Sequence, residues 1–376
     1  MKIVFTGGGT GGHFYPIIAI AEQLHKEADK QKIEERNFYF LSNSPYDSEA
    51  LFENGIEFRK ISAGKLRTYF SIQNFFDLFK TALGVFQSIF TLWSIYPDVI
   101  FSKGGYPAFP VVFAARLLRI PVVMHDSDTI PGRVSRFTGS FARRIALGYP
   151  EAAAYFSEEK VAWTGIPVRE NLWHKEKEGS HEYLNLEQGV PTLLILGGSS
   201  GAQQINEVIL SSVKELLPTM QIIHQVGSKN EEEYTNISDI TLENSAYKSR
   251  YHVVGFLNEL AFKMAAGVTD LVVSRAGATS IANISLFELP CILIPITNSN
   301  GDHQRKNAYH YARIGAAHVI EELNLSNTLL VHAIKEILSD EKIQNEMKES
   351  AQGFARRDAG IVIAQELMTI AHEHSN

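Results

Sequence analysis

Two glycine-rich turns, one in each half of the chain, follow apolar strands and open amphipathic helices. The first turn is Thr6–His13 (TGGGTGGH), and the second is Gly197–Gln203 (GGSSGAQ). The flanking strands and helices are Lys2–Phe5 with Phe14–Lys26, and Thr192–Leu196 with Gln203–Leu217. Glycine lets the backbone approach a ligand closely, and the free N–H groups of a helix start favour an anion. The repeat therefore predicts an α/β protein with two Rossmann-like domains that face one cleft.

Short apolar segments alternate with stretches of helical length along the rest of the chain. This alternation is typical of βαβ units and parallel sheets. The predicted strands are Asn37–Leu41, Val99–Phe101, Val122–His125, Arg144–Leu147, Gln221–Gln225, His252–Val254, Leu271–Val273 and Ile292–Pro295. A glycine and a proline interrupt the pattern in Trp163–Arg169, which is the predicted linker. A chain of 376 residues is long enough for each domain to bury its own core.

Cysteine usage and the N-terminus indicate where the protein works. Cys291 is the single cysteine, so no disulfide framework forms and a reducing compartment is expected. Six residues precede the first glycine of this turn, Gly7, which leaves no room for the apolar core of a signal peptide. No apolar stretch is expected to be long enough to span a bilayer. The sequence predicts a cytoplasmic protein that is soluble or attached to a membrane surface.

Positive charge is concentrated in one region of a chain whose net charge is −7. Residues 60–144 contain eleven Lys or Arg and four acidic residues. Within this region, a helix over Tyr69–Trp93 would place four aromatic residues on one face, namely Phe75, Phe79, Phe86 and Phe90. This face could pack on its own sheet, or it could rest on an anionic membrane with Lys65, Arg67 and Arg136 at its rim. Nucleic acid is a weaker third interpretation, because no recognition motif accompanies the patch.

The first glycine turn fits two common nucleotide motifs poorly. Gly7, Gly9 and Gly12 match the dinucleotide fingerprint, but the next strand ends at Leu41–Ser44 without the acid that would bind an adenosine ribose. The Lys and Ser or Thr of a P-loop are also missing. What remains is a glycine turn that ends in His13 at a helix start, where a general base or a diphosphate donor would be useful.

Polar residues follow two strands of the second half. Arg275 and the backbone of 276–278 are expected to meet a phosphate, and Asn283, further along the helix, could reach a ribose. The next polar loop contains Asp302, His303 and Gln304, which could bind the hydroxyls of a sugar. The second half therefore predicts a nucleotide-sugar site.

Seven motifs, taken together and in order, resemble the MurG family of peptidoglycan N-acetylglucosaminyltransferases, which have the GT-B fold. They are Gly7–His13, Ser102–Pro107, His125–Gly132, Gly165–Arg169, Gly197–Gln203, Ser274–Ala278 and Asp302–Gln304. The resemblance extends over essentially the whole chain. It implies transfer of N-acetylglucosamine from UDP-GlcNAc, with inversion, to the muramoyl-pentapeptide carried on undecaprenyl diphosphate. It also implies a peripheral location on the cytoplasmic face of the cell membrane.

The resemblance assigns substrates to both domains. Residues implied for the lipid acceptor, whose diphosphate is placed at the glycine turns, are Gly8, Gly9, Gly104, Gly105, Tyr106, His125 and Asp128. Residues implied for the donor are Thr10, Gly11, Gly12, Arg169, Ser199, Gly201, Phe256, Arg275, Gly277, Ala278, Asn283 and Gln304. Among these, Arg169 and Ser199 are expected near phosphate, Phe256 near uracil, Asn283 at the ribose, and Gln304 with Ala278 near the sugar.

The expected chemistry is attack of the acceptor's C4 hydroxyl on the anomeric carbon. His13 is the first candidate for the general base and Asp126 the second. Helix N-termini, Arg169 and Ser199 would stabilise the leaving UDP, so neither a protein-bound metal nor a cofactor is required. The expected partners are UDP-GlcNAc, the undecaprenyl-linked acceptor and an anionic membrane surface contacted through residues 65–93 and Arg136, with no nucleic acid.

The predicted domains are 1–164 for the acceptor and membrane, 165–357 for the UDP-sugar, and a helix in 358–376 that returns to the first domain. The chain departs from the family at two places: it has Asp126-Ser127-Asp128 where Glu-Gln-Asn is usual, and Asn283 where Glu is common. Two alternatives therefore stay open. One is a related GT-B transferase that uses another lipid acceptor, and the other is a non-catalytic UDP-sugar-binding membrane partner.

Overall fold

The computed structural model describes residues 1–65, 72–198, 201–297 and 299–375. It divides the chain into two compact units. The first unit comprises Met1–Glu170 and Arg356–Asn376, and the second comprises Asn171–Ala355.

The first unit is built on a parallel sheet. Its seven described strands are β1 (Lys2–Thr6), β2 (Asn37–Ser42), β3 (Ile56–Lys60), β4 (Val99–Ser102), β5 (Val122–Asp126), β6 (Arg144–Leu147) and β7 (Val161–Trp163). Their order is β3-β2-β1-β4-β5-β6-β7, so the direction in which strands are added reverses between β1 and β4. Ligands of such sheets bind beyond the carboxyl ends of the strands at this reversal.

Helices connect the strands of the first sheet, and α1 buries its apolar face against it. Between the strands lie α1 (Gly11–Lys30), α2 (Ser48–Glu53), α3 (Ile72–Ile95), α4 (Phe109–Leu118) and α5 (Arg133–Gly139). Helix α1 buries Phe14, Ile17, Ile18 and Leu24, which recur at helical spacing and join the core formed with β1 and β2. The turn that precedes α1 is therefore fixed to the centre of the sheet.

The second unit repeats this architecture. Its strands are β8 (Thr192–Leu196), β9 (Gln221–Gln225), β10 (Tyr251–Val254), β11 (Leu271–Ser274), β12 (Cys291–Leu293) and β13 (Ala317–Val319). All described pairs are parallel, and the order β10-β9-β8-β11-β12-β13 reverses between β8 and β11. Its helices are α6 (Ser180–Tyr183), α7 (Gln203–Leu216), α8 (Glu231–Thr241), α9 (Glu259–Val268), α10 (Ala278–Leu286), α11 (His303–Arg313), α12 (Asn327–Ser339) and α13 (Glu341–Gln352).

The last helix, α14 (Ala359–Ser375), belongs to the first unit and packs on α1. Ile363, Leu367 and Ile370 are at most 2% exposed and join the same core cluster as β1 and α1. Gln365 Nε2 donates to Glu27 Oε2 at 3.1 Å. The C-terminal segment therefore supplies part of the hydrophobic core of the first unit.

Helix α3 has the reverse of the usual distribution of side chains. The side packed on the protein carries the small or polar residues Asp77, Thr81, Gly84 and Ser88, followed by the core residues Leu92 and Ile95 at the C-terminal end, whereas large aromatic residues point outward. A Cβ atom on Gly84 would lie 1.7 Å from the carbonyl oxygen of Ser62, so the helix lies directly on the neighbouring backbone. The exposed fractions are 61% for Phe75, 60% for Phe79, 62% for Phe86, 69% for Phe90 and 74% for Trp93. The interpretation that this face packs on its own sheet is wrong for these residues.

The expectation that no stretch is long enough to span a bilayer is also wrong. Gln73–Ile95 is long and apolar enough by length and composition, with a mean hydropathy of 1.3, and 28% of its apolar window is buried. Isolated polar residues such as Asp77 and Lys80 interrupt the apolar run in the sequence. The mean hydropathy of the helix stays in the apolar range despite these polar residues.

The predicted α/β fold with two Rossmann-like parallel sheets is confirmed, and each predicted strand coincides with an observed one. Three observed strands were not predicted, namely β3, β7 and β13, and each lies at an outer edge of its sheet. They are short and partly exposed, so they lack the apolar run that marks a central strand.

Candidate active site

The turns after β1 and β4 meet at the strand reversal of the first sheet. The φ angles are 125° at Gly8, 89° at Gly9, 76° at Gly104 and 79° at Gly105, values that favour glycine. A Cβ atom on Gly105 would lie 2.8 Å from the carbonyl oxygen of Gly8. The turns can therefore approach this closely only without side chains. The structure brings together the four glycines that were predicted to serve the acceptor.

His13 lies in the first turn of α1, immediately beside both glycine turns. Thr10 is the N-cap of this helix, and its hydroxyl lies 2.9 Å from His13 Nδ1. The Cδ2 atom of His13 is 3.5 Å from the position of a Cβ atom on Gly105. Thr10 thus fixes the imidazole through one ring nitrogen at the place where the two turns meet.

The start of α1 favours an anion. The first N–H groups of a helix have no partner within the helix and carry its positive dipole end, and here they belong to Gly11 and Gly12, while the N–H of His13 donates to the carbonyl oxygen of Thr10 at 3.1 Å. The first turn of α1 contains no acidic residue that would compete for these donors. Gly11 is close to Tyr46, because a Cβ atom on Gly11 would lie 2.8 Å from the Tyr46 hydroxyl.

The last residue of β2 and the residue that follows it support the two glycine turns. The Ser42 hydroxyl donates to the carbonyl oxygen of Gly7 at 2.7 Å, and Asn43 Nδ2 donates to the Tyr106 hydroxyl at 2.9 Å. These bonds connect β2 to the turn after β1 and to the turn after β4. Tyr106, a predicted acceptor residue, is therefore positioned by a residue that the sequence did not single out.

His125, at the end of β5, is fully buried. Its Nε2 lies 2.9 Å from the carbonyl oxygen of Gly165, while its Nδ1 has no hydrogen-bond partner among the described residues. Burial, with a contribution from nearby Lys103, holds its pKa well below the usual value, and the bond to Gly165 opposes this. The imidazole is therefore neutral near pH 7. A neutral ring is consistent with a positioning role, and not with contact to the acceptor as a cation.

The Asp126 carboxylate anchors the loop that follows β5. Oδ1 accepts the backbone N–H of Asp128 at 3.0 Å, and Oδ2 accepts that of Gly132 at 3.3 Å. Burial and the nearby Asp128 raise its pKa, whereas Lys103 and a hydrogen bond from Ser135 lower it. Both oxygens hold backbone, so Asp126 is engaged in loop structure, and its role as a second candidate base stays a prediction.

Arg169 lies in the first unit, whereas the sequence placed it at the start of the donor domain. Its guanidinium carbon is 4.4 Å from the centre of the Tyr15 ring. Burial first, and then Asp47, raise the pKa of Tyr15 to about 12, while Arg169 lowers it. Arg169 is thus held beside the N-terminal part of α1, and its expected contact with the donor's phosphate stays a prediction.

The second glycine turn lies at the strand reversal of the second sheet. Gly198 and Gly201 have φ of 79° and 75°. A Cβ atom on Gly201 would lie 2.3 Å from the carbonyl oxygen of Val226, so any larger residue would displace the turn. Ser199, predicted near phosphate, lies outside the described residues.

A buried polar network supports this second turn. Asn206 Nδ2 donates to the carbonyl oxygen of Val226 at 3.0 Å, and its Oδ1 lies 3.1 Å from His224 Nε2. His224 Nδ1 is 2.7 Å from the Tyr251 hydroxyl. The sequence did not predict this network, because its members lie on α7, β9 and β10 and carry no motif.

We expect the His224 network to make the second unit sensitive to acid. Burial lowers the pKa of His224 to about 3, whereas an unfolded histidine titrates near about 6.5. Between these values the unfolded chain binds the extra proton, so the free energy of unfolding falls as pH decreases, by up to about 1.4 kcal/mol per pH unit. Urea unfolding over this pH range should give a shallower dependence for His224→Gln. If the free energy of unfolding changes with pH equally steeply in the native chain and in His224→Gln, this account is wrong.

Arg275 follows β11, and its guanidinium is engaged within the unit. It forms an ion pair with Glu322 and donates to the carbonyl oxygen of Ile294 at 3.2 Å. Glu322 also accepts the backbone N–H of Thr297 at 2.8 Å. Arg275 therefore fixes the loop after β12, and its predicted contact with a phosphate stays a prediction.

Gly277 is the N-cap of α10, so the N–H groups that begin at Ala278 face the carboxyl end of β11. Along this helix, Asn283 has a buried Oδ1 without a hydrogen-bond partner among the described residues. Gln304 Oε1 accepts the N–H of Ile296 at 3.2 Å, and Phe256, after β10, is 51% exposed. These predicted donor residues all lie in the second unit, on segments that follow its strands.

Comparison with known proteins identifies the family. The glycosyltransferase family 28 N-terminal domain matches residues 3–147, and the family 28 C-terminal domain matches residues 192–362. A protein of Halothermothrix orenii is 36% identical over 362 residues, covering 95% of both chains. A Treponema pallidum protein is 35% identical and covers 99% of this chain and 96% of its own. Both are named UDP-N-acetylglucosamine–N-acetylmuramyl-(pentapeptide) pyrophosphoryl-undecaprenol N-acetylglucosamine transferase. The chain belongs to the MurG family of glycosyltransferases.

Solved structures agree with the MurG fold. The crystal structure of Acinetobacter baumannii MurG matches with a TM-score of 0.72 and 23% identity, covering 98% of this chain and 99% of that one. A UDP-GlcNAc 2-epimerase from Neisseria meningitidis, bound to UDP-GlcNAc, matches with a TM-score of 0.66 at 14% identity, covering 98% of this chain and all of that one. At these identities the likeness shows the GT-B fold alone. The predicted family, fold and enzyme class are confirmed.

Proposed function

We propose that this MurG-family chain transfers N-acetylglucosamine from UDP-GlcNAc to the muramoyl-pentapeptide carried on undecaprenyl diphosphate, in peptidoglycan synthesis. The names of its relatives support this substrate pair. The observation that carries the proposal is the glycine turn at the strand reversal of each sheet, because both substrates carry a diphosphate. Each unit then supplies one anion site, with the acceptor at the first and the donor at the second.

In this proposal, His13 removes the proton from the acceptor's C4 hydroxyl as that oxygen attacks the anomeric carbon of the donor. Its position supports the role, since Thr10 fixes the ring beside the turns proposed for the acceptor's diphosphate. The bond from the sugar to UDP breaks, and attack from the opposite face inverts the anomeric configuration. The N-terminus of α10 favours the departing diphosphate through its N–H groups.

The aromatic face of α3 is proposed to lie on an anionic membrane. Its opposite side is bound to the first unit, where the Gly64 N–H donates to Thr81 Oγ1 at 3.2 Å and the Ser62 N–H donates to Gln87 Oε1 at 2.8 Å. A helix held along one side in this way fits a surface position better than a span. Lys80 and Arg136 are exposed and fit anionic headgroups, while Arg67 lies outside the described residues.

Replacing four exposed aromatic residues of α3 by serine (Phe79→Ser, Phe86→Ser, Phe90→Ser and Trp93→Ser together) should weaken binding to phosphatidylglycerol vesicles by at least about tenfold, because the variant loses the apolar area that would be buried in the interface. Vesicle sedimentation measures this. The control is Phe52→Ser with Leu323→Ser, since these two residues are 87% and 80% exposed on other elements. Equal vesicle binding by the four-serine variant and the native chain would refute the proposed membrane face.

The proposed substrate pair is tested by UDP release from UDP-GlcNAc with a panel of lipid acceptors. Release with a muramoyl-pentapeptide prenyl diphosphate, and little release with diacylglycerol or a capsule-type prenyl-linked sugar, is the expected result. Turnover with another lipid alone would favour the related transferase. Tight UDP-GlcNAc binding without turnover on any acceptor would favour a non-catalytic partner.

A further inference from the structure

Lys103 is a buried cation directly behind the first glycine turn. It follows β4 in the segment Ser102-Lys103-Gly104-Gly105, and it is 3% exposed. Its Cβ lies 3.1 Å from the position of a Cβ atom on Gly7. The side chain therefore runs beneath the turns that were predicted to hold the acceptor's diphosphate, although no predicted role had been assigned to it.

The ammonium of Lys103 makes one hydrogen bond to a described residue, donating from Nζ to the Ser127 hydroxyl at 2.7 Å. An ammonium has three donor positions, and its burial is costly unless nearby negative charge compensates it. Burial lowers the pKa of Lys103, while Asp126 and Asp128 raise it. Two carboxylates thus favour the charged form of one buried lysine.

The bond to Ser127 connects two parts of the acceptor region. Ser127 lies in the loop that Asp126 anchors through the N–H groups of Asp128 and Gly132. Lys103 begins the turn after β4, and β5, which precedes the loop, is the next strand of the sheet. Lys103 therefore holds the loop after β5 against the glycine turn after β4.

We propose that Lys103 is a positioning residue for the diphosphate of the lipid acceptor. Its ammonium fixes the 126–132 loop and offsets the negative charge of Asp126 and Asp128, which would otherwise repel an anion at the glycine turns. The inference rests on the proposed function, because it requires the acceptor's diphosphate to bind over these turns. It predicts an effect on the acceptor's KM and not on the donor's.

A simpler role must be separated from this one, namely that Lys103 only compensates the charge of the neighbouring Asp128 carboxylate. The two roles are distinguished by measuring the effect of Lys103→Met in a chain that already lacks the negative charge of Asp128. The variants are Asp128→Asn, Asp128→Asn with Lys103→Met, and Asp128→Asn with Lys103→Gln, each assayed for KM, kcat and thermal midpoint. The glutamine can still donate to Ser127 but carries no charge, and it provides a second variant if the methionine fails to fold.

Relative to Asp128→Asn alone, we expect the methionine double variant to raise the KM for a muramoyl-pentapeptide prenyl diphosphate by about tenfold, the size of one charge-assisted interaction. The KM for UDP-GlcNAc should change less than about twofold. The control is Lys175→Met, since Lys175 is a lysine of the second unit that donates to the carbonyl oxygen of Phe287 at 3.1 Å. This control should leave the acceptor's KM unchanged.

An acceptor KM equal to that of Asp128→Asn in both double variants, with native turnover by the unmodified chain, would overturn the role of Lys103. Equal increases in the KM of donor and acceptor would do the same, since they indicate a general structural effect. Failure of the proposed function itself looks different, because the unmodified chain would then show no turnover with this acceptor.

Discussion

His13→Ala should lower kcat for N-acetylglucosamine transfer by about 10²- to 10⁴-fold, the usual contribution of a general base. The KM for UDP-GlcNAc should change little, because His13 lies at the turns of the first unit and the proposed donor turns lie in the second. Steady-state UDP release with a muramoyl-pentapeptide lipid measures both quantities. Thr10→Val should give a smaller loss of kcat, since it removes the hydroxyl that fixes Nδ1 but keeps the imidazole.

His25→Ala is the matched control for this substitution. It removes a second imidazole from the same helix. The Nε2 atom of His25 lies 2.9 Å from the carbonyl oxygen of Asn54, away from the glycine turns. Its kcat should match the native value. A kcat that survives in His13→Ala would move the general base to Asp126 or to another group, although both oxygens of Asp126 hold backbone in this structure.

Truncation after Arg357 should unfold the first unit. It removes α14, whose Ile363, Leu367 and Ile370 fill the core beside β1 and α1. Loss of one such side chain costs about 2–5 kcal/mol, and a whole domain is stable by only about 5–15 kcal/mol. Urea unfolding should therefore lack the transition of the first unit, while the second unit, which contains none of the deleted residues, keeps its own.

A point substitution tests the same packing without a deletion. Leu367→Ala should lower the free energy of unfolding by about 2–5 kcal/mol, because Leu367 is fully buried. Val362→Ala on the same helix should cost less than about 1 kcal/mol, because Val362 is 39% exposed. If the truncated chain unfolds with the native midpoint, α14 does not stabilise the core of the first unit.

Central strands and their turns could be predicted from the sequence because they carry local signals. Strands such as β1 and β8 are continuous apolar runs, and the glycines after them need left-handed φ angles. The edge strands β3, β7 and β13 lacked such runs and were missed. The orientation of α3 could not be settled from its pattern, since a stripe of phenylalanine fits both a core and a membrane; only the exposed fractions distinguish them.

The parts of the candidate site that carry a local motif could be predicted from the sequence. Contacts between residues that lie far apart in the chain could not. The glycine turns and His13 were singled out because a glycine turn at a helix start is typical of an anion site, and Tyr106 was implied by the resemblance to the family; their roles stay predictions. Arg275 was predicted to bind phosphate, yet its guanidinium pairs with Glu322, which follows two strands later in the chain. Lys103 lies within the Ser102–Pro107 motif, but the motif predicts no role for it, because only the fold places it beside Ser127. A single sequence does not show such pairings.

The account is tested most directly by the lipid product itself. Purified chain, UDP-GlcNAc and a muramoyl-pentapeptide prenyl diphosphate are incubated, and the lipid is analysed by mass spectrometry and by β-N-acetylglucosaminidase digestion. The account predicts a lipid that has gained one N-acetylglucosamine in a β linkage, with an equal amount of UDP released. An unmodified lipid, or UDP released without any gain by the lipid, would contradict it.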